Sequence, residues 1–272
     1  MKLLSMVITF LLVGAMLSDK NLHAQELYVF SEPASNMPAH SVSTKASGKF
    51  VKNRISDKIE QRYSPELMFG INKHWMLHGA LSFSDMYSSA MRLESGRAYA
   101  KYRFYSDDAV HRHLRMALFG EASHSRNKKV YDELSLEGDQ SGLQAGIIVT
   151  QLLNKLAVSS SLSYIYTTTE RLKNIPDPRA YEGYNYSLSA GYLLFPLSYT
   201  DFRQTNMNIY GELIGQRSTD KSRYFVDFAP AVQFIFNSNL KLNLGYRFQL
   251  AGNMLRMGDR GGLIALERTF LR

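Results

Sequence analysis

Leu240-Lys241-Leu242-Asn243-Leu244-Gly245-Tyr246-Arg247-Phe248-Gln249-Leu250 is the stretch that decides the fold. Its large apolar side chains occupy every second position, with Lys, Asn, Gly, Arg and Gln between them. Alternation with a period of two is the signature of a strand whose faces meet different surroundings. The same pattern sets Ala98, Ala100, Tyr102 and Phe104 against Arg97, Tyr99, Lys101, Arg103 and Tyr105. It also sets Leu114, Met116, Leu118 and Gly120 against Arg115, Ala117, Phe119 and Glu121. The charged faces are too polar for a sandwich core, and runs of about ten residues suit tilted strands crossing a bilayer.

Working outward from these runs predicts about twelve strands, an even count as in single-chain bacterial barrels. Their centres fall near Ala46, Leu67, Leu81, Tyr102, Leu118, Ile147, Leu162, Ala190, Tyr210, Pro230, Leu244 and Leu266. The fold class is therefore all-β, a closed antiparallel transmembrane β-barrel over residues 41–272. Tight connections are expected at Asn72-Lys73, Asn154-Lys155 and Asn237-Ser238-Asn239, because Asn tolerates positive φ. Longer polar connections lie at 125–141, 171–183 and 252–261, giving short periplasmic turns and longer extracellular loops. Two connections fit this alternation poorly: 196–205 is long for a turn, and 219–222 is short for a loop. Pro230 lacks the N–H a mid-strand position needs, so a bulge is expected there.

Aromatic side chains follow the same plan. Trp75, Phe104, Phe236 and Phe270 fall near one set of strand ends, and Phe83, Tyr164, Tyr166 and Tyr186 near the other. Amphipathic rings at both headgroup levels form two girdles. The segment 262–272 reads as the closing strand, although it ends Leu271-Arg272 rather than on an aromatic residue.

The N-terminus adds an address. Met1-Lys2, an apolar run from Leu3 to Leu17 and the exit Leu22-His23-Ala24 make residues 1–24 a secretory signal peptide, too short to span a bilayer. Its removal takes away Lys2, Lys20 and Asp19, which lowers the net charge from +8 to +7. Residues 25–40, with Pro33 and Pro38, form an N-terminal extension that lies in the periplasm or folds into the barrel mouth.

Several local stretches carry a resemblance: Glu32-Pro33-Ala34-Ser35-Asn36-Met37-Pro38, Ala100-Lys101-Tyr102-Arg103-Phe104, Gln151-Leu152-Leu153-Asn154-Lys155 and Gln233-Phe234-Ile235-Phe236-Asn237-Ser238. Through them the chain resembles an uncharacterised family of Gram-negative outer-membrane β-barrel proteins. It is also distantly similar to the barrels proposed as transporters in aromatic-degradation pathways. The resemblance implies the fold, a cell outer-membrane location and solute transport, and it names no chemistry.

If the apolar faces meet lipid, the other faces line a lumen. Lys101, Arg103, Arg115, Lys241 and Arg247 are then expected to point inward beside Glu66, Glu121, Glu212, Asp227 and Glu267. A barrel of about twelve strands lies between a packed interior and an open channel. Inward charge serves either a solute path with a net basic lumen or a network that only satisfies the wall. The expected function is a channel or transporter for small solutes. The alternatives are a non-conducting structural or adhesion barrel displaying its loops, and then a lipid-modifying hydrolase.

Chemistry is sparse. The absence of cysteine excludes disulfides, thiolate metal sites and cysteine nucleophiles. Ser123-His124-Ser125 lies close to Asp132, Glu133 and Glu137, but adjacent strand residues face opposite ways, so a hydroxyl and its base are not brought together. His111 with His113, and His74 with Met76 and His78, share faces at i, i+2 without completing a ligand set. No phosphate-binding loop, zincin helix or calcium loop is present, so no catalytic residue, metal or cofactor is implied. The implied partners are outer-membrane lipid and a small solute. The basic balance lacks any nucleic-acid recognition motif, and monomer and oligomer fit equally.

Overall fold

The computed structural model describes residues 28–109, 112–171, 180–196 and 204–271. The signal peptide reading over 1–24 and His111 lie outside them. Twelve antiparallel strands form one closed barrel: β1 (Ser41–Lys52), β2 (Ile59–Gly70), β3 (Trp75–Ser84), β4 (Arg92–Ala109), β5 (Arg112–Ser125), β6 (Gly142–Leu153), β7 (Leu156–Thr167), β8 (Glu182–Phe195), β9 (Asn206–Ser218), β10 (Tyr224–Phe236), β11 (Leu240–Gly252) and β12 (Arg260–Leu271). Each strand pairs with its neighbours in sequence, and β1 closes on β12 from Ser41–Leu271 to Val51–Gly261. Every expected strand centre lies inside its strand. Closure leaves no unpaired edge, which is what a spanning sheet requires in lipid.

The period-two pattern sorts the two faces as read. In β3, Trp75, Leu77 and Leu81 are exposed on the outside, while Met76, His78, Ala80 and Ser82 are buried within. Leu118, Leu162, Leu188 and Leu244 continue the outer apolar surface around the wall. Such a continuous apolar exterior is stable only against lipid. At one barrel end Trp75 packs on Tyr102 with centroids 4.8 Å apart, and at the other Tyr164 meets Tyr184 at 5.6 Å.

The tight turns use Asn in two ways. Asn154 (φ 54°) and Asn237 (φ 49°) take the left-handed conformation. Asn72 instead accepts N–H bonds from His74 and Trp75 through its side-chain oxygen at 2.8 and 2.9 Å.

Pro230 corrects one expectation, for no bulge lies there. Register with β11 holds from Asp227–Gln249 to Phe236–Leu240, and only Ala229 and Pro230 make no pair on that side. Toward β9, Pro230 pairs with Gly211. The bulge sits nearer the strand start, between Val226 and Asp227. Pro65 uses the same device. Ser64 and Pro65 are unpaired toward β3 within an unbroken register, and Pro65 faces Ala46 on the other side. A missing N–H thus costs a local gap in one ladder without displacing the strand.

Candidate functional site

The interior is occupied from both ends. At the end carrying the tight turns, residues 28–40 fold inside the barrel as a strap crossing from the β9–β11 wall to the β1–β3 wall. Tyr28 meets Tyr210 edge-on at 5.6 Å, and Tyr28 and Val29 pack against Ala157 and Ala231. Phe30 lies over Gly245, where a Cβ would come within 2.5 Å of its ring, so this close approach requires glycine. The strap turns into β1 at His40, whose φ is 58°.

Two charged wall residues hold the strap by its backbone. Glu212, fully buried, accepts N–H bonds from Val29, Phe30 and Ser31 at 3.0, 2.9 and 2.9 Å. Lys101, also fully buried, donates to the carbonyls of Pro33 and Ser35 at 2.8 and 2.9 Å and to Glu32 at 3.3 Å. Thr150 accepts the Ala34 N–H at 2.9 Å, and Arg115 reaches the Ser35 hydroxyl at 2.9 Å while pairing with Asp108 at 3.0 Å. Buried charges are tolerable when hydrogen bonds replace the lost water, and here peptide groups of the strap supply them.

From the opposite end, the loop between β5 and β6 (126–141) dips into the lumen. Leu134 exchanges backbone bonds with Gln216, donating at 2.8 Å and accepting at 2.7 Å. Leu134 and Leu136 pack with Ile165 and Ala180. Glu133 bonds Arg256 at 2.9 Å and Arg247 at 3.4 Å, and both guanidiniums also bond Asp227. Burial works to raise the Glu133 carboxyl, but Arg256 and Arg247 outweigh it and hold it at about 2. Asp139 and Glu94 clasp the buried Arg62 at 2.7 and 3.1 Å.

Between strap and loop lies a cavity of about 370 Å³, lined among others by Lys45, Lys49, Arg97, Glu121, Ser161 and Ser163. That volume falls at the small end of ligand-sized cavities. Glu66 bonds His78 at 2.9 Å and approaches Lys45 and Arg97 at 3.8 and 3.7 Å, and Arg97 continues to Glu121 at 3.5 Å. Lys241 and Glu267 form a separate pair at 2.7 Å, which the Ser43 hydroxyl joins at 3.3 Å. Arg103 is half-buried near the tight-turn end, with its backbone N–H on the His74 carbonyl at 2.8 Å.

The ten candidate residues therefore divide into strap anchors (Glu212, Lys101, Arg115), a cavity group (Glu66, Glu121), a loop latch (Asp227, Arg247), the Lys241–Glu267 pair and Arg103. Sequence reasoning missed Arg62, Glu94, Lys45, Lys49 and Arg256. Lys45 and Lys49 lie in the strand with the fewest large apolar residues, and Arg256 lies in a loop without periodicity. Arg97 alternates with Ala98 and Ala100 and is legible in the sequence as inward-facing.

No hydrolytic group assembles at Ser123-His124-Ser125. The Ser125 hydroxyl donates to the carbonyls of Gly138 and Asp139 at 3.0 and 3.3 Å, and His124 is exposed on the outer face. Glu133 and Glu137 serve cations instead. The His74 and His78 rings engage the Arg103 carbonyl and Glu66, each at 2.9 Å, and no cluster of metal-binding groups occurs among the described residues.

No protein-family model and no curated protein matches the chain. Among solved structures it is similar to the COG4313 outer membrane channel from Pseudomonas putida F1, with 12% identity and a TM-score of 0.63 over 89% of this chain and 100% of that one. It is also similar to the KdgM porin in complex with disordered oligogalacturonate, with 9% identity and a TM-score of 0.53 over 85% of this chain and 99% of that one. At such identities the likeness concerns the fold, which is that of outer-membrane β-barrels.

Proposed function

We propose that the chain is an outer-membrane channel for small solutes, exported by its N-terminal signal and closed at rest by the strap and the 126–141 loop. The observation that carries this reading is the cavity of about 370 Å³ between them, walled by charged and hydroxyl side chains inside a closed barrel. A barrel serving only as a scaffold has no need of an unfilled polar interior. The strap and the loop are each held largely by polar contacts, which exchange with water at modest net cost. Orientation follows from the connections: the tight turns and the strap face the periplasm, and the longer loops face outward. The likeness to a channel and to a porin supports the same reading.

The dense pairing of lumen charges favours a second reading, a barrel that never conducts. Swelling of proteoliposomes in sugars and in amino acids of graded size separates the two. The channel reading expects swelling that falls off with solute size and grows when residues 28–37 are deleted. Proteoliposomes that swell no faster than empty vesicles with either protein, while the barrel is folded, would favour the scaffold.

A further inference from the structure

The 126–141 loop presents three carboxylates to the lumen, and each rests on cations outside the loop. Glu133 meets Arg256 and Arg247, Glu137 meets Lys49 and Arg97 at 3.7 and 3.9 Å, and Asp139 meets Arg62 at 2.7 Å. The loop backbone has its own anchors in Gln216 and in the Leu134–Leu136 cluster with Ile165. The loop therefore keeps part of its seating, through these backbone and apolar anchors, when its carboxylates leave the cations.

The balance of charge depends on those three groups. With them in place, the cavity lining sets seven cations, Lys45, Lys49, Arg62, Arg97, Arg247, Arg256 and Arg260, against eight acids: Glu32, Glu66, Glu121, Asp227 and Asp259, and three from the loop. When the loop carboxylates swing aside, seven cations face five acids, and the same cavity attracts anions. Among the described residues Lys49 has no other carboxylate within ion-pairing distance. Arg247 and Arg256 meet on Glu133, Lys49 and Arg97 on Glu137, and Arg62 stands on Asp139, so the cations already accommodate three carboxylates at once, which suits several linked charges better than a single one.

We propose that Lys49, Arg62, Arg97, Arg247 and Arg256 form a binding site for a solute bearing several carboxylates, and that Glu133, Glu137 and Asp139 are its resident competitors. This deepens the channel reading and rests on it for access to the lumen. Arrival of such a solute replaces the loop's ion pairs with its own, so the solute itself favours the uncovered state.

Calorimetric titration of citrate into the detergent-solubilised full chain tests the site, with acetate as the single-carboxylate control. The E133Q/E137Q/D139N variant is expected to bind citrate about tenfold more tightly than the unaltered chain, with acetate little changed. Adding K49Q and R247Q to that variant is expected to return the affinity to the unaltered level or below. If the triple variant does not fold, E137Q alone, at the most exposed of the three, is expected to tighten citrate about threefold. Folded variants with unchanged citrate affinity, or with equal gains for acetate, overturn the proposal. Current through planar bilayers is recorded on the same samples. Tighter citrate binding in a barrel that never conducts upholds the site and defeats the channel reading, whereas conduction without any tightening defeats the site alone.

Discussion

Arg62 stands 2% exposed between Glu94 at 3.1 Å and Asp139 at 2.7 Å, so its guanidinium is the only described cation neutralising the fully buried Glu94. Gly138 bends the loop over it with φ +111°, and a Cβ there would sit 2.7 Å from its Nε. Removing one partner of a buried ion pair leaves an uncompensated charge, at a cost of about 3–5 kcal/mol. Arg62→Met is therefore expected to lower the urea midpoint of the barrel in lipid vesicles, and an unchanged midpoint would show that water reaches Glu94. Glu212 acts differently, since it holds peptide N–H groups and no cation. Glu212→Ala is expected to free the strap. The chain has no native cysteine, so a cysteine at Ser31 reports this through its rate of reaction with a water-soluble maleimide. The rate is expected to rise about tenfold or more, corresponding to a lost charge-assisted anchor, and an equal rate would mean that Glu212 does not hold the strap.

At the scale of elements, the loop latch has a pH signature. The Glu133 carboxyl is held at about 2 against an ordinary value of 4.5, so its contribution is fully present above 4.5 and is lost as pH falls through about 2. Hydrogen exchange of 132–139 is expected to show constant protection from pH 8 to pH 5, once corrected for intrinsic rates, and declining protection only below about pH 4. Loss of protection between pH 7 and pH 5 would contradict the latch. Strands were legible because a two-sided sheet writes its surroundings into alternate residues, as in Leu240–Leu250. The strap and the loop were not, because neither repeats. Pro33 and Pro38 marked 25–40 as an extension, yet nothing local said that Lys101 and Glu212 would find their partners in its peptide groups. Glu133 and Glu137 drew notice only as acids near Ser125, since their cationic partners, Arg247 and Arg256 for one and Lys49 and Arg97 for the other, lie far away in sequence. Pro230 misled for a physical reason: a proline gap facing one neighbour leaves the register intact, and the same arrangement at Pro65 shows that the wall accommodates it twice.

The whole molecule is an inside-out solution to burial, with apolar side chains facing out and charges facing in, where Glu66, Lys101, Glu133, Glu212 and Asp227 are met by other charges or by peptide groups. On the proposed channel reading such a lumen becomes a path only when the strap and the loop leave it. The strap obstructs the interior directly, because it crosses from Tyr210 to Met76. The most direct test is the single-channel conductance, in planar bilayers, of the refolded chain beginning at Gln25 beside a variant lacking 28–37. Small or rare openings in the former and large, steady steps in the latter are the predicted result. Two folded barrels that are equally silent, or equally open, would contradict a channel closed by its own N-terminal segment.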